Sequence, residues 1–397
     1  LCYGNLKNMS RKYHGPVIKY KNMHSRENKN SKLANTIIIN LFFGGCIVAV
    51  SFRVLIVAVI MLAICALWSL LTLKASMKTF VMMGGVLLFL CLYYFLGLSH
   101  YERGPEKFTN AFSLILLSSV FFFILGYRES VDGRIKWLNF FSLCSIIYVI
   151  VVCIYSMFKG YPGYNLVYDP INMSEENSPL YALQLILFSI AYVNFNWSKQ
   201  RRFFNIALML IATFFSVFYL GSRAAFFLIM IFLTLKIITK KYSLLLFFVS
   251  LIVTALIITN FAGDLNITNS FNFGGFSERG LDSPRFSMFV YGISNFLDYP
   301  FGGLKVHAEG YTGIWFHNML LDLVRVSGYY VMFLWLIILI ITTYLLMKGK
   351  DKQCIIVFII INIAFMQDLA FDGFFNLMAL EFYLIGASLA KARQFNV

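Results

Sequence analysis

The sequence predicts an all-α integral membrane protein with about twelve transmembrane helices and both termini in the cytoplasm. Of its 397 residues, 60% are hydrophobic and only 13% are charged, whereas soluble domains carry roughly 25% charged residues. The apolar residues form successive runs of about 20, the length that crosses a bilayer as a helix. Lys and Arg are concentrated in alternate segments between those runs, as the positive-inside rule requires.

The chain divides into a tail, a membrane domain and a short C-terminus. Residues 1–32 are polar and basic without apolar periodicity, so we expect a cytoplasmic tail. Residues 33–390 form the polytopic membrane domain, and residues 391–397 form the cytoplasmic C-terminus. We predict twelve spans: 33–52, 54–73, 79–98, 111–126, 138–158, 179–197, 203–220, 224–239, 243–261, 329–347, 354–366 and 374–390.

Lys and Arg residues fix the predicted orientation. With the N-terminus inside, the inner segments hold 24 of the 33 Lys and Arg residues, and the outer segments hold nine. The acidic residues have the opposite bias, with four inside and 13 outside. The net charge of +15 therefore reflects membrane topology and contact with anionic lipid, and it does not indicate a nucleic-acid partner.

Two outer loops are long enough to hold structure of their own. The segment 159–178 is polar and slightly acidic, and the segment 262–328, before the tenth span, contains many Gly and Pro residues. Within it, residues 284–297 have apolar side chains at helical spacing, and Pro284 suits the first turn of a helix. We expect a short amphipathic helix there, lying on the outer membrane interface.

Basic residues and one histidine on the outer side are the candidate site. Arg223 lies between two apolar runs, Arg285 begins the amphipathic segment, and His317 lies where the long loop re-enters the membrane. Arg binds phosphate oxygens through two N–H groups, and His exchanges a proton near neutral pH. A cavity lined by them suits a diphosphate. The further candidates for substrate binding are Arg279, Asn318 and Arg325.

Each of these residues also has a structural interpretation. Arg223 could extend to the interface from a lipid-facing helix, and Arg285 could be a surface residue beside acidic neighbours. An isolated interfacial His is more often structural than catalytic. Asp322 and Arg325 are spaced to form a local pair on one helical turn. Six of the seven Cys residues lie in apolar runs and indicate neither disulfides nor a metal site.

Three segments in order resemble motifs of the O-antigen ligase and polymerase superfamily. They are a Ser-Arg pair that opens a helix (Ser222, Arg223), an arginine helix followed by a Pro-Phe-Gly-Gly turn (Arg285 and residues 300–303), and a His-Asn pair before the next span (His317, Asn318). Their order, their spacing and the long loop before the tenth span match the family. The resemblance extends over residues 33–390.

The resemblance implies a membrane glycosyltransferase of the GT-C type in the bacterial inner membrane, with its active site facing the periplasm. Its donor would be an oligosaccharide linked through diphosphate to undecaprenol. Arg223 and Arg285 would bind the diphosphate and stabilise the leaving group, and His317 would orient or deprotonate the acceptor hydroxyl. The family uses no cofactor and no metal, and this sequence contains no Asp-x-Asp.

The acceptor is left open between two family activities. A polymerase joins the glycan to another lipid-linked repeat unit, and a ligase transfers it to the lipid A core. The abundance of Phe, Tyr, Ile, Lys and Asn suggests AT-rich DNA, as in many surface-polysaccharide gene clusters, and favours a polymerase of O-antigen, capsule or exopolysaccharide. Its pathway partners would be a flippase and a chain-length regulator.

A lipid-linked oligosaccharide flippase is the alternative from another class of protein. A flippase is expected to carry charges along its spans and to contain two similar halves. Here the predicted spans are almost uncharged, no internal repeat is visible, and the cations gather on one side. These features favour the enzyme over the transporter.

Overall fold

A computed structural model describes residues 37–73, 76–198, 200–239, 284–309, 311, 313–367, 371 and 375–394. The chain forms two units, Leu1–Gly45 and Cys46–Val397. Only the start of helix α1 (Ile37–Ser51) is described in the first unit. The predicted tail 1–32, the ninth predicted span 243–261 and Arg279 all lie outside the described residues.

Helices account for nearly all the described secondary structure of the second unit. After α1 they are α2 (Leu55–Leu71), α3 (Met77–Gly97), α4 (Pro105–Asp132), α5 (Lys136–Phe158), α6 (Ser178–Phe195), α7 (Arg202–Thr213, continued by a π-helix, Phe214–Tyr219), α8 (Arg223–Thr239), α9 (Pro284–Asn295, continued by a 3₁₀ turn, Phe296–Asp298), α10 (Met319–Ser327), α11 (Tyr329–Lys348), α12 (Lys352–Phe365) and α13 (Phe375–Gln394).

Six of the described helices are long and apolar enough to cross a membrane. They are Met77–Gly97, Pro105–Asp132, Lys136–Phe158, Ser178–Phe195, Arg202–Tyr219 and Tyr329–Lys348. Four shorter apolar helices are Ile37–Ser51, Leu55–Leu71, Lys352–Phe365 and Phe375–Ala390. The prediction of an all-α membrane protein is thus confirmed. The count of twelve spans and the GT-C architecture stay predictions.

Helix α4 is longer than the span predicted at 111–126. It begins at Pro105, after Gly104 at a φ of 91°, and ends at Gly133 in the left-handed conformation. Pro is favoured in the first turn of a helix, and Gly is favoured just after the last turn. Hydropathy misses the ends of α4 because they are polar. Near its C-terminal end, the buried carboxylate of Glu129 accepts hydrogen bonds from Trp137 N (2.7 Å) and Leu138 N (3.2 Å) at the start of α5.

The segment 159–178 contains a hairpin that the sequence did not predict. Strands β1 (Val167–Asp169) and β2 (Ser174–Glu176) pair antiparallel. The buried Asp169 carboxylate accepts from the Tyr148 and Tyr181 hydroxyls and from Asn172 Nδ2. Burial alone would raise the pKa of Asp169, but the hydrogen bonds from Tyr148 and Asn172 outweigh it and hold that pKa below its ordinary value. The hairpin is therefore fixed to α5 and α6.

Antiparallel packing defines which helix ends lie together. Asn194 Nδ2, near the end of α6, donates to Gln353 O (2.7 Å) at the start of α12, and the two helices pack on each other. The start of α6 and the end of α12 therefore share one end. Ser178 Oγ donates to Leu220 O (3.4 Å), just before α8. We call this end the Ser178 end and the other the Asn194 end.

Helices α4 and α13 approach closely at two glycines. A Cβ atom on Gly126 would lie 2.0 Å from Tyr383 O, and one on Gly386 would lie 1.9 Å from Phe123 O. Small residues of this kind let the backbones of membrane helices touch. Each glycine therefore sets the distance between the two helices.

We expect Gly126→Ala or Gly386→Ala to destabilise the protein by about 1–3 kcal/mol, because the new methyl group meets backbone atoms that cannot move aside. The measurement is the midpoint of thermal unfolding of the purified chain in detergent. Gly84→Ala in α3 is the matched control, since nothing lies within 4 Å of its Cβ position. Equal midpoints for all three variants would contradict the close approach.

Candidate functional site

Two backbone carbonyls after α12 bring together two of the predicted site segments. Arg285 Nη1 donates to Gln367 O at 3.0 Å, and Asn318 Nδ2 donates to Met366 O at 3.2 Å. The carbonyls at the end of a helix lack helical partners and carry the negative end of the helix dipole, so they attract a guanidinium. The start of α9 and the His317–Asn318 segment therefore meet at the Ser178 end.

His317 lies in a strained turn that opens α10. Its φ is +53°, a conformation that residues other than glycine rarely adopt. Asn318 caps α10, and its Oδ1 accepts from Leu320 N (3.1 Å) and Leu321 N (3.2 Å). Strain of this kind persists only where the surroundings impose it. Here the capping of α10 holds the residue that follows the histidine.

A buried carboxylate holds the residues on both sides of His317. Asp322 Oδ1 accepts from Phe316 N at 3.1 Å, and its Oδ2 accepts from Asn318 N at 3.3 Å. Asp322 Oδ1 also pairs with Arg325 Nε at 3.0 Å, as the helical spacing predicted. Arg325 is only 1% exposed. In this arrangement Arg325 supports the turn from the interior, and its contact with substrate stays a prediction.

The Pro-Phe-Gly-Gly segment forms a turn that packs on the end of α10. Gly303 N donates to Arg325 O at 2.8 Å. Gly302 has a φ of 112°, and a Cβ atom there would lie 2.5 Å from Val326 O. Only glycine avoids both the strained conformation and the clash. The turn therefore connects α9 to the helix that follows His317.

Arg223 begins α8 at the Ser178 end. Gly221 before it has a φ of +63°, and Ser222 Oγ accepts from Ala225 N at 3.2 Å, which caps the helix. The predicted Ser-Arg pair thus opens a helix, as expected from the sequence. Arg223 lies at the same end of the helices as Arg285 and His317. That it joins them directly around one ligand stays a prediction.

Two contacts of the site were missing from the sequence prediction. The Tyr311 hydroxyl donates to Trp315 O at 3.1 Å and lies 3.1 Å from His317 Nε2. The guanidinium of Arg103, between α3 and α4, lies 4.3 Å from the centre of the Trp315 ring, a cation–π distance. No sequence signal distinguishes Tyr311 from the other 22 tyrosines. Arg103 is one of the nine basic residues in the predicted outer segments. Its partner Trp315 is too far from it in the sequence for the contact to be predicted.

Helix α9 exposes an apolar stripe beside this cluster. Phe286, Val290, Ile293 and Leu297 are each more than 60% exposed and recur at the spacing of one helical face. Met288, on another face, is fully buried. The predicted amphipathic helix is therefore present. An apolar face of this size is typical of a helix that rests on a membrane surface.

The arrangement offers cations and a proton-exchanging group in one place. A guanidinium presents its N–H donors in a fixed fork, and Arg285 Nη1 donates to Gln367 O. Within the described ranges, no group of three or more His, Cys, Asp or Glu residues is placed to hold a metal ion. The guanidinium of Arg285 suits an anionic ligand, and the imidazole of His317 suits a reaction that includes a proton transfer.

Neither the known protein-family models nor the curated protein sequences give a match to this chain.

Proposed function

We propose that this protein is a membrane glycosyltransferase that polymerises a surface polysaccharide of the O-antigen type. It transfers a glycan from undecaprenyl diphosphate to a sugar hydroxyl of another lipid-linked repeat unit. The observation that supports this most is the convergence of Arg285 and the His317–Asn318 segment on the carbonyls of Met366 and Gln367. These segments are the ones in which the resemblance places the arginine and histidine of the family.

In the proposed reaction the arginines, the histidine and the residues that hold it have different roles. The acceptor oxygen forms a bond to the anomeric carbon, the bond from that carbon to the phosphate oxygen breaks, and the diphosphate leaves with the electron pair. The acceptor proton passes to His317. Arg223 and Arg285 stabilise the charge that grows on the diphosphate, which is the largest expected contribution of such cations. Asn318 and the buried Asp322–Arg325 pair hold His317 in place.

The membrane setting fits a lipid-linked donor. An undecaprenyl chain stays in the bilayer, so its diphosphate reaches the site from the side at headgroup level. The exposed apolar stripe of α9 begins next to Arg285 and suits contact with lipid at that depth. The concentration of Lys and Arg in the predicted inner segments supports an outward position of this end of the helices. The proposal therefore includes the bacterial inner membrane as the location and the periplasm as the side that the site faces.

The test is the surface-polysaccharide ladder of a deletion strain complemented with variants. We expect His317→Ala to remove long chains while single repeats stay attached to the lipid A core. His307→Ala is the matched control, because this histidine lies in the same loop and its ring contacts Tyr291 rather than Tyr311. It is expected to restore the full ladder.

Two other patterns would replace the proposal. Complete loss of attached glycan, with lipid-linked polymer accumulating, would identify a ligase. Accumulation of single lipid-linked units on the cytoplasmic leaflet would identify a flippase and exclude the catalytic assignment. A full ladder with His317→Ala would show that His317 takes no part in the reaction.

A further inference from the structure

The Tyr311 hydroxyl has one proton and two hydrogen-bond partners. It lies 3.1 Å from Trp315 O and 3.1 Å from His317 Nε2. A carbonyl oxygen can only accept, so the bond to Trp315 requires the tyrosine proton. If that proton pointed at Nε2 instead, two acceptor oxygens would face each other at 3.1 Å without a proton between them.

This geometry selects one form of the imidazole ring. With the Tyr311 proton on Trp315 O, the tyrosine oxygen accepts, and His317 Nε2 must carry the proton that it receives. In the neutral ring the lone pair is then on Nδ1, because a neutral imidazole has one donor and one acceptor nitrogen. The bond made by one ring nitrogen thus decides the role of the other.

We propose that Tyr311 is a positioning residue that fixes His317 in the Nε2–H tautomer. Nδ1 is then the nitrogen that takes up the proton of the acceptor sugar's hydroxyl. The first half stands on geometry alone, and the second rests on the proposed function. The step balances: the hydroxyl proton of the acceptor moves to Nδ1, the new glycosidic bond forms, and the diphosphate leaves. The resulting imidazolium keeps its Nε2–H bond to Tyr311.

The surroundings favour a protonated tyrosine. Burial raises the pKa of Tyr311 above its ordinary value, and the nearby charges of Arg285 and Asp322 act in opposite directions. Arg325 also acts on it from α10, and Arg103 lies against the Trp315 ring. The hydroxyl therefore keeps its proton at neutral pH and can donate it to Trp315 O.

The backbone on both sides of the histidine is also held by hydrogen bonds, so the imidazole ring of His317 has a defined orientation. Asp322 holds Phe316 N and Asn318 N, while Tyr311 holds the ring of His317 and the carbonyl of Trp315. Tyr311 thus plays the part of the group that orients a catalytic base in other enzymes. A tyrosine does this without adding a negative charge beside the diphosphate.

The direct test is ¹⁵N NMR of the full chain labelled at histidine. The spectra are recorded at a pH high enough for the imidazole rings to be neutral. Couplings to the ring protons tell Nε2 from Nδ1, and His317→Gln identifies the signals of His317. We expect the wild-type His317 to carry its proton on Nε2. Tyr311→Phe should convert it into a mixture of tautomers, because the acceptor of the Nε2–H bond is gone.

Tyr291→Phe is the matched control. The ring of Tyr291, in α9, lies 5.3 Å from that of His307, so the change removes the hydroxyl of another tyrosine whose ring packs on a histidine. It should leave the tautomer of His317 unchanged. A proton on Nδ1 in the wild type, or an unchanged tautomer in Tyr311→Phe, would overturn the assignment.

A kinetic measurement tests the role in the reaction. We expect Tyr311→Phe to lower kcat about tenfold and to leave the KM for the lipid-linked donor unchanged. The loss is smaller than the factor of about 10² to 10⁴ that a proton-transfer group itself contributes, because Tyr311 acts through His317. A purely structural role would instead lower the folded fraction with kcat per folded molecule unchanged. If the tautomer is as assigned and His317→Ala keeps full activity, the proposed function fails and the tautomer assignment stands.

Discussion

Arg285→Ala is expected to abolish chain extension, with a loss in kcat of at least about a hundredfold. Removing one preorganised donor from a site where negative charge develops typically costs a factor of about 10² to 10³. The leaving diphosphate carries such charge, and the bond from Arg285 to Gln367 O holds the guanidinium in place before substrate arrives. The measurement is polymer formation from purified lipid-linked repeat units by the purified chain.

Two further variants separate charge from geometry. Arg285→Lys keeps the charge and loses the planar fork of donors, so we expect partial activity between that of the alanine variant and the wild type. Arg128→Ala is the matched control, because Arg128 also donates to a backbone carbonyl, Ser69 O at 3.0 Å, but does so at the Asn194 end. Its neighbour Glu129 accepts from the start of α5, where Asn139 Nδ2 donates to Asn196 Oδ1, just after α6. Wild-type polymer formation by Arg285→Ala would remove Arg285 from the reaction.

Asp322→Ala is expected to destabilise the protein by about 3–5 kcal/mol, the usual cost of removing one partner of a buried ion pair. The change leaves the Arg325 guanidinium in the interior without this carboxylate, and it removes the acceptor of Phe316 N and Asn318 N. The turn that carries His317 would lose its support at the same time. The measurement is the thermal midpoint of the purified chain.

A double variant shows which part of the loss comes from the charge. Asp322→Leu combined with Arg325→Met replaces the pair by apolar side chains and should recover part of the stability. Activity should stay low, since the two backbone N–H groups still lack the carboxylate. Asp351→Asn is the matched control: Asp351 caps α12 through Cys354 N at 3.1 Å, and Asn caps a helix as well as Asp. Similar midpoints for Asp322→Ala and Asp351→Asn would argue against the buried pair as a main support.

The sequence predicted the local features of the site well. The Asp322–Arg325 pair, the amphipathic α9 and the helix that opens at Arg223 all depend on residues within a few positions of one another. Such features follow from backbone preferences and apolar spacing. The polar ends of α4 and the hairpin after α5 were missed, because neither has an apolar pattern that stands out.

What the sequence determined by itself is an all-α membrane protein, because the length of an apolar run and the placement of Lys and Arg are properties of the chain alone. Only the tertiary structure decided that Arg285 and Asn318 both bind the carbonyls after α12, and that Tyr311 meets His317. The carbonyl contacts join segments far apart in the chain, and the tyrosine contact depends on the path of a loop. Their distances are set by how the helices and that loop pack, and no local preference encodes them.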